Sequence, residues 1–255
     1  MQPFLEKKNV PPYSILADFY DGMMEHVDYR TWSSFIHQIF ERYGSGISTV
    51  CEFACGTGNF AAAMAAFPYT MICSDRSETM IMTARKKPVA QSGKILFFTG
   101  DMLSFKPSVE CEAALCLYDS VNYLMKAEDI LNFFNHVSEC TTGRGIFVFD
   151  VCTEKNSLDH FDQRYELDRT HHYKRRSYYD RVSRTQFNEI EAEIDGTLFH
   201  ETHQQRIYSL DEIHAIIRAS PFTCVAQLAN LGFSEGSEAS ERVHFVLRKK
   251  NYVAI

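Results

Sequence analysis

Residues 49–59, TVCEFACGTGN, constrain the fold more than any other stretch of this sequence. Residues 50–54 are apolar apart from one acid and precede a Gly-rich turn, which predicts a short buried strand. Gly56 and Gly58 have no Cβ, so the backbone can turn tightly there and approach a ligand closely. Asn59 is expected to cap the following helix, whose free N–H groups face the loop. Strand, turn and helix together predict a nucleotide-type pocket at the carboxyl end of a parallel strand.

Glu52 indicates the charge of the ligand. Like-charge repulsion disfavours a carboxylate beside a pyrophosphate, whereas a positively charged ligand suits it. The motif EFACGTG at 52–58 resembles the first motif of the class I S-adenosylmethionine-dependent methyltransferases, whose cofactor carries a sulfonium and an ammonium and no phosphate. The run GTGNFA at 56–61 also fits the dinucleotide-binding pattern. An NAD(P)-dependent oxidoreductase therefore stays an alternative on the loop alone.

Two further acids follow predicted strands. Asp75 ends a strand predicted over residues 70–74 and lies 17 residues beyond Gly58, near the spacing of an acid that binds ribose hydroxyls. Both cofactors contain that ribose. Asp101 follows a strand predicted over residues 95–99, and the resemblance implies that such an acid accepts the adenine amino group. Because dinucleotide enzymes have no matching requirement, this acid favours S-adenosylmethionine.

The end of a fourth strand, predicted over residues 113–117, gathers polar residues in the run LYDSVNYL. The position of Tyr123 resembles that of a His near the reaction centre of glycine N-methyltransferase and the amino-sugar N,N-dimethyltransferases. Tyr123 is therefore the candidate catalytic residue, and its departure from His leaves the proton acceptor open. The Asn/Asp-Pro-Pro-Tyr/Phe pattern of enzymes that methylate exocyclic base amines is absent from the sequence. This argues against nucleobase amines as substrates.

The N-terminal region is predicted to form two helices after a short, mobile leader that ends at Pro11-Pro12. Apolar residues recur at helical spacing from residue 13 to 24 and again from 32 to 40, ending near Gly44. The runs ADFYD and DYRTW resemble the cap of small-molecule methyltransferases, in which a Tyr closes over the cofactor. The cofactor-binding residues implied by these resemblances are Tyr20, Tyr29, Glu52, Ala54, Cys55, Gly56, Thr57, Gly58, Asp75, Arg76, Met80, Asp101, Met102, Leu117 and Tyr118.

Residues 153–207 interrupt the βα rhythm. Residues 189–194 alternate between polar and apolar, which is typical of a strand, and Asp195-Gly196 is typical of a hairpin turn. Residues 198–206 are then predicted to form the returning strand, and together these patterns predict an antiparallel lid of three or four strands. Such a lid resembles the substrate cover of the amino-sugar enzymes, and a dimerisation surface is the alternative. The lid histidines are candidates to assist proton removal, although ordinary surface or strand positions are the simpler interpretation. They are His171, His172 and His203.

The expected fold is α/β, with a Rossmann-like seven-stranded methyltransferase sheet that is mostly parallel with its last strand antiparallel. Helices cover both faces, and the antiparallel β lid is inserted. The run SLDE at 209–212 is a capping box that opens a helix, and strands predicted over 223–228 and 243–247 close the sheet. The predicted division is a cap and cofactor-binding part (1–152), the lid (153–207) and the completion of the sheet (208–255).

The composition of the sequence further limits the partners, the location and the metal sites that can be expected. A net charge of −7 and a pI near 5.8 exclude a broad basic field, so no nucleic-acid partner is expected. Without a signal-peptide pattern or a membrane-length apolar run, a soluble cytoplasmic protein is expected. Eight cysteines without a C-x-x-C pair predict no metal site.

These observations predict an S-adenosylmethionine-dependent methyltransferase that acts on N or O of a small-molecule acceptor. The alternatives are an NAD(P)-dependent oxidoreductase and a catalytically inactive cofactor-binding interaction protein. A homodimer formed through the lid also stays open.

Overall fold

The computed structural model describes residues 7–168 and 173–250. These residues form twelve strands, which are β1 (Lys7–Val10), β2 (Thr49–Phe53), β3 (Thr70–Asp75), β4 (Ile95–Thr99), β5 (Cys111–Cys116), β6 (Thr141–Cys152), β7 (Arg164–Asp168), β8 (Tyr173–Asp180), β9 (Thr185–Ile194), β10 (Thr197–Arg206), β11 (Phe222–Ala229) and β12 (Arg242–Lys249). Within these residues, no helix is both long and apolar enough to cross a membrane.

The helices alternate with the strands of the first half of the chain. They are α1 (Tyr20–Met23), α2 (Tyr29–Tyr43), α3 (Asn59–Met64), α4 (Glu78–Lys86), α5 (Ala127–Cys140), α6 (Glu154–Asn156) and α7 (Leu210–Ala219). Short 3-10 turns occupy Leu16–Asp18, Pro88–Ser92 and Ser120–Tyr123, and a π-helical turn follows α6 over Ser157–Phe161.

The larger sheet has seven strands in the order β11-β12-β6-β5-β2-β3-β4. Strands β4, β3, β2, β5 and β6 pair in parallel, whereas β12 is antiparallel to both of its neighbours. The predicted Rossmann-like methyltransferase sheet is thus confirmed, with the reversed strand inserted beside the edge strand. The carboxyl ends of β2, β3 and β5 lie at one edge of this sheet, which is where such folds bind their ligands.

Two apolar cores cover the faces of the sheet. On one face Phe35 and Ile36 of α2 pack with Phe60 of α3 and Ile81 of α4. On the other face the buried side chains of α5 and α7 pack against β5, β6 and β12. Each helix buries one stripe of side chains at helical spacing, and the capping box of Ser209 and Glu212 opens α7 as predicted.

The second sheet has five strands in the order β1-β10-β9-β8-β7. Its four consecutive strands are antiparallel, and β1 joins the edge in parallel with β10. Ile15, Leu16 and Phe19 of the N-terminal segment pack with Tyr173 and Ile190 of this sheet. The N-terminal cap (residues 13–24) and the lid (residues 153–207) therefore share one small core; the exact domain boundaries stay a prediction.

Three local predictions were wrong. The segment expected to be a mobile leader contains β1. The sequence gives no local signal for this strand, because its partner β10 lies some 190 residues away. The helix expected over residues 13–24 is broken into a 3-10 turn and the four-residue α1, after Tyr13 adopts a left-handed conformation with φ of 64°. Gly58, not Asn59, is the N-cap of α3, with φ of 74°.

Candidate active site

A cavity of about 680 Å³ lies between the carboxyl edge of the large sheet, the N-terminal cap and the lid. This volume is typical of sites for small molecules and cofactors. Four non-glycine residues on its wall have left-handed backbones: Tyr13, Ala54, Tyr118 and Asp119. Strained backbones of this kind persist where the surrounding structure over-determines them, and they cluster at functional sites.

The Gly loop after β2 forms the floor of the cavity and is tied to the end of β3. Cys55 donates its N–H to the Ser74 carbonyl, and Gly56 donates its N–H to Asp75 Oδ2 at 2.9 Å. The other oxygen of Asp75 accepts the Ser77 N–H at 2.8 Å. Asp75 therefore fixes the shape of the loop as well as lining the cavity. Burial raises the pKa of its carboxyl, although the two backbone hydrogen bonds act in the opposite direction.

Glu52 is the buried acid of this floor. It is 3% exposed, lines the cavity and accepts the Cys73 thiol at 3.5 Å. Burial raises its pKa to about 8. A carboxyl held in this state gains from a cationic partner, because a nearby opposite charge offsets the desolvation of its ionised form. The residues present therefore fit the ammonium and sulfonium of S-adenosylmethionine better than a pyrophosphate.

The N-terminal cap is held to the Gly loop by Asp21 of α1. The Asp21 carboxylate accepts the Thr57 hydroxyl at 2.5 Å and the Asn59 amide at 2.9 Å, and it pairs with Lys87. Ser77 and Thr79 add hydrogen bonds to the Tyr13 carbonyl at 2.9 Å each. These contacts close the cap over the loop.

Opposite the cap, the turn after β5 is organised by a buried ionic cluster. Arg242 of β12 pairs with Asp119 at 2.7 Å and with Asp150 of β6. Asp150 is fully buried and accepts the backbone N–H groups of Tyr118 and Asp119 at 2.7 and 2.9 Å. The Arg242 guanidinium also lies 4.8 Å from the centre of the Tyr118 ring, within cation–π range. The cluster fixes the two left-handed residues that aim this turn at the cavity.

Most of the predicted site residues line this one cavity. They are Tyr20, Tyr29, Glu52, Ala54, Cys55, Gly56, Thr57, Asp75, Arg76, Asp101, Met102, Leu117, Tyr118 and Tyr123. Gly58 and Met80 do not line it. A Cβ on Gly58 would point at Phe97 and Ala84, and Met80 is only 1% exposed. Met80 is one of the buried residues of α4, so its predicted contact with a base has no support from the cavity lining.

The lid contributes a polar face that the sequence only partly indicated. His203 is a strand residue of β10 that is 3% exposed, lines the cavity and hydrogen-bonds Tyr123 and Glu201; a role in proton removal stays a prediction. His171 and His172 lie outside the described residues. Sequence reasoning missed Tyr13, Asp119 and Arg242 on the cavity wall, and Glu201 behind it. The alternation along β10, which buries residues 201, 203 and 205 together, was the available signal for Glu201 and His203.

Comparisons with known proteins agree with this geometry. Residues 50–145 match the methyltransferase domain family, Methyltransf_25. A protein of Geobacillus sp. (strain WCH70), named "Putative methyltransferase", is 28% identical over 93% of this chain and 99% of its own length. The structure of an S-adenosylmethionine-dependent methyltransferase from Clostridium acetobutylicum superposes with a TM-score of 0.77 at 20% identity, covering 93% of this chain and 99% of that one.

A second similar structure is CalS10, an amino pentose methyltransferase from Micromonospora echinaspora with S-adenosylmethionine bound. It has a TM-score of 0.68 at 16% identity, over 93% of this chain and 98% of that one. Residues 50–145 thus match a methyltransferase domain, and the fold is that of the class I S-adenosylmethionine-dependent methyltransferases. These similarities favour S-adenosylmethionine over the nicotinamide cofactor that the Gly loop left open.

Proposed function

We propose that the protein transfers a methyl group to a nitrogen or oxygen atom of a small polar molecule held between the Gly loop and the lid. The observation that carries this proposal is the single cavity shared by the acids of the large sheet and the polar face of the lid. The side chains proposed to bind the cofactor lie on one side of this cavity, and hydrogen-bonding side chains of the lid lie on the other.

The large sheet supplies the cofactor side. Asp75 and Asp101 are positioned to accept hydrogen bonds from ribose and adenine, and the buried Glu52 is positioned to pair with the positive end of the ligand. Tyr20 of the cap and Tyr29 of α2 line the same cavity. Bound S-adenosylmethionine supplies a methyl carbon that is already activated by its sulfonium. The protein then mainly has to align the acceptor and exclude water.

The lid and the turn after β5 supply the acceptor side. Asn188, Gln205 and Arg175 of the lid line the cavity together with Tyr123. Such groups suit a small acceptor with several hydrogen-bonding atoms, in keeping with the amino pentose substrate named for CalS10. The net charge of −7 disfavours a nucleic-acid substrate. We retain a homodimer through the outer surface of the lid as a prediction.

Two measurements test the proposal. Calorimetric titration should detect S-adenosylhomocysteine binding and no binding of NAD at the same concentrations. Radiolabelled methyl transfer should then be assayed on a panel of amino sugars, amino acids and hydroxylated aromatics. Turnover on at least one class supports the proposal. Tight S-adenosylhomocysteine binding without turnover on any of them would favour an inactive cofactor-binding protein.

A further inference from the structure

Four polar groups form one hydrogen-bonded chain across the acceptor side of the cavity. The hydroxyls of Tyr13 and Tyr123 lie 2.7 Å apart, and the Tyr123 hydroxyl lies 3.0 Å from His203 Nδ1. His203 Nε2 lies 3.1 Å from Glu201 Oε2. The first three residues line the cavity, and Glu201 lies fully buried behind them.

Glu201 is the fixed anion at the end of this chain. Its Oε1 accepts the N–H groups of Ile15 and Leu16 at 2.6 and 3.2 Å, and its Oε2 accepts that of Tyr13 at 3.0 Å. Burial alone would raise the pKa of this carboxyl, but the hydrogen bonds from His203 and the Ile15 N–H lower it below the ordinary value. An ionised Glu201 can only accept hydrogen bonds.

This anion sets the direction of every bond in the chain. Because Glu201 accepts, His203 must donate from Nε2, and a neutral imidazole then has its lone pair on Nδ1. Tyr123 therefore donates to His203, and Tyr13 donates to Tyr123. The Tyr123 oxygen, which accepts the Tyr13 O–H, keeps one lone pair free, and the Tyr13 oxygen also stays free to accept. The chain is aligned to accept a proton from the cavity and to carry it toward His203.

We propose that His203 is the proton acceptor of the methyl-transfer reaction, reached through the Tyr123 hydroxyl, and that Glu201 is a positioning residue that fixes the tautomer of His203. This inference rests on the proposed function and adds the group that removes the proton. A His–phenol chain of this kind matches an acceptor whose attacking atom carries an acidic proton, such as an ammonium nitrogen.

The proton balance is simple. The acceptor loses a proton to the Tyr123 oxygen as the Tyr123 proton moves to His203 Nδ1. The acceptor nitrogen becomes neutral with a free lone pair, Tyr123 is unchanged, and His203 becomes an imidazolium paired with the Glu201 carboxylate. His203 returns its proton to solvent after the product leaves.

The same carboxylate couples this chain to the N-terminal cap. Three of its hydrogen bonds come from residues 13–16, so the ionised Glu201, the cap and His203 are held in one arrangement. Other titratable or charged groups also act on one or both phenols: Tyr20 from the cap, Asp119 from the turn after β5, Asp75 at the end of β3, and Arg76 after it. None of them is in hydrogen-bond contact with His203 among the described residues.

The first experiment does not require the methyl acceptor to be known. In protein labelled with ¹⁵N in its imidazoles, NMR should show His203 protonated at Nε2, with the signal assigned by its loss in His203→Gln. In Glu201→Gln the new amide donor opposes the Nε2 proton, so the population should shift toward the Nδ1–H tautomer. A wild-type Nδ1–H tautomer, or no change in Glu201→Gln, would overturn the assignment.

The second experiment measures turnover with the acceptor that reacts in the panel above. Glu201→Gln, His203→Gln and Tyr123→Phe should each lower kcat by roughly 10²–10⁴-fold while S-adenosylhomocysteine affinity stays within a few-fold. The matched control is Glu193→Gln, an exposed acid on β9 of the same sheet, which should keep wild-type turnover. His203→Gln keeps the Glu201 contacts to the cap, so it tests the idea even if Glu201→Gln fails to fold.

The pH profile separates a proton acceptor from a merely structural residue. Wild-type kcat should fall as the pH is lowered, because a protonated His203 can no longer accept, and His203→Gln should lack that limb of the profile. Wild-type kcat and pH dependence in His203→Gln would refute the inference and leave the proposed function standing. Absence of turnover in the wild type would instead refute the proposed function, and the NMR result would still decide the tautomer.

Discussion

Gly56 and Gly58 lie two residues apart in the Gly loop, yet the structure gives them different tasks. Both have left-handed backbones, with φ of 55° and 74°. A Cβ built on Gly56 meets only Tyr20 Cε1, at an ordinary 3.9 Å. A Cβ on Gly58 would lie 2.6 Å from Phe97 Cε1 and 3.2 Å from Ala84 Cβ, inside the core. Alanine at position 58 should therefore disturb folding, and alanine at position 56 should disturb the ligand site.

These distances determine how much free energy of unfolding each alanine variant is expected to lose. A left-handed alanine costs about 1–2 kcal/mol at either position. Overpacking a filled core costs typically about 1–3 kcal/mol more, and Phe97 is too buried, at 5% exposure, to swing aside. Gly58→Ala should thus lose about 2–5 kcal/mol of the free energy of unfolding, and Gly56→Ala only about 1–2 kcal/mol.

Urea unfolding of the two variants measures this difference as a shift of the midpoint at unchanged m-value. Calorimetry with S-adenosylhomocysteine should show the opposite order, with Gly56→Ala binding more weakly because its methyl group enters the cavity. If Gly58→Ala unfolds at the same midpoint as Gly56→Ala yet binds the cofactor worse, then Gly58 lies at the cofactor and the packing argument fails.

Two further predictions concern the acids of the floor. Asp75→Ala removes a carboxylate that holds the Gly56 and Ser77 N–H groups. S-adenosylhomocysteine and adenosine should therefore both bind roughly ten- to hundred-fold more weakly, at a loss of about 1.5–3 kcal/mol of binding free energy. A variant that loses methyl-transfer rate but keeps normal calorimetric affinity would contradict the assignment of Asp75 to the ribose. Glu52 has a pKa of about 8 and is mostly protonated at pH 7, so a cationic ligand should displace its proton. Calorimetric titration with S-adenosylmethionine, in buffers of different ionisation enthalpy, should detect this proton release below pH 8 and a smaller release above pH 8. Glu52→Gln should show no proton release attributable to this site. Equal proton release by the wild type and Glu52→Gln at pH 7 would refute the assignment of the proton to Glu52.

Local patterns were enough to predict the sheet and the cofactor side of the site. The Gly loop, Asp75 and the capping box of α7 each depend on residues close together in sequence, and their chemistry is legible there. Strand β1 could not be predicted in this way, because its four residues pair with β10 across most of the chain.

The acceptor side depends on contacts between distant residues. Glu201 bonds the N–H of Ile15 across 186 positions, and Arg242 reaches Asp119 across 123. Alternation along β10 predicts that Glu201 and His203 share a face, but both faces of that strand are polar, so the pattern does not say which one meets the cavity. Only the fold brings Tyr13, Tyr123 and His203 together.

A crystal structure with S-adenosylhomocysteine bound would show whether one cavity holds the cofactor against the residues proposed to remove the proton. We expect adenosine beside Asp75 and Asp101, the ligand's ammonium at Glu52, and its sulfur directed toward the cavity wall formed by Tyr123 and His203. A ligand whose sulfur faces away from these two residues, or one bound outside the cavity beneath the lid, would refute the proposed site.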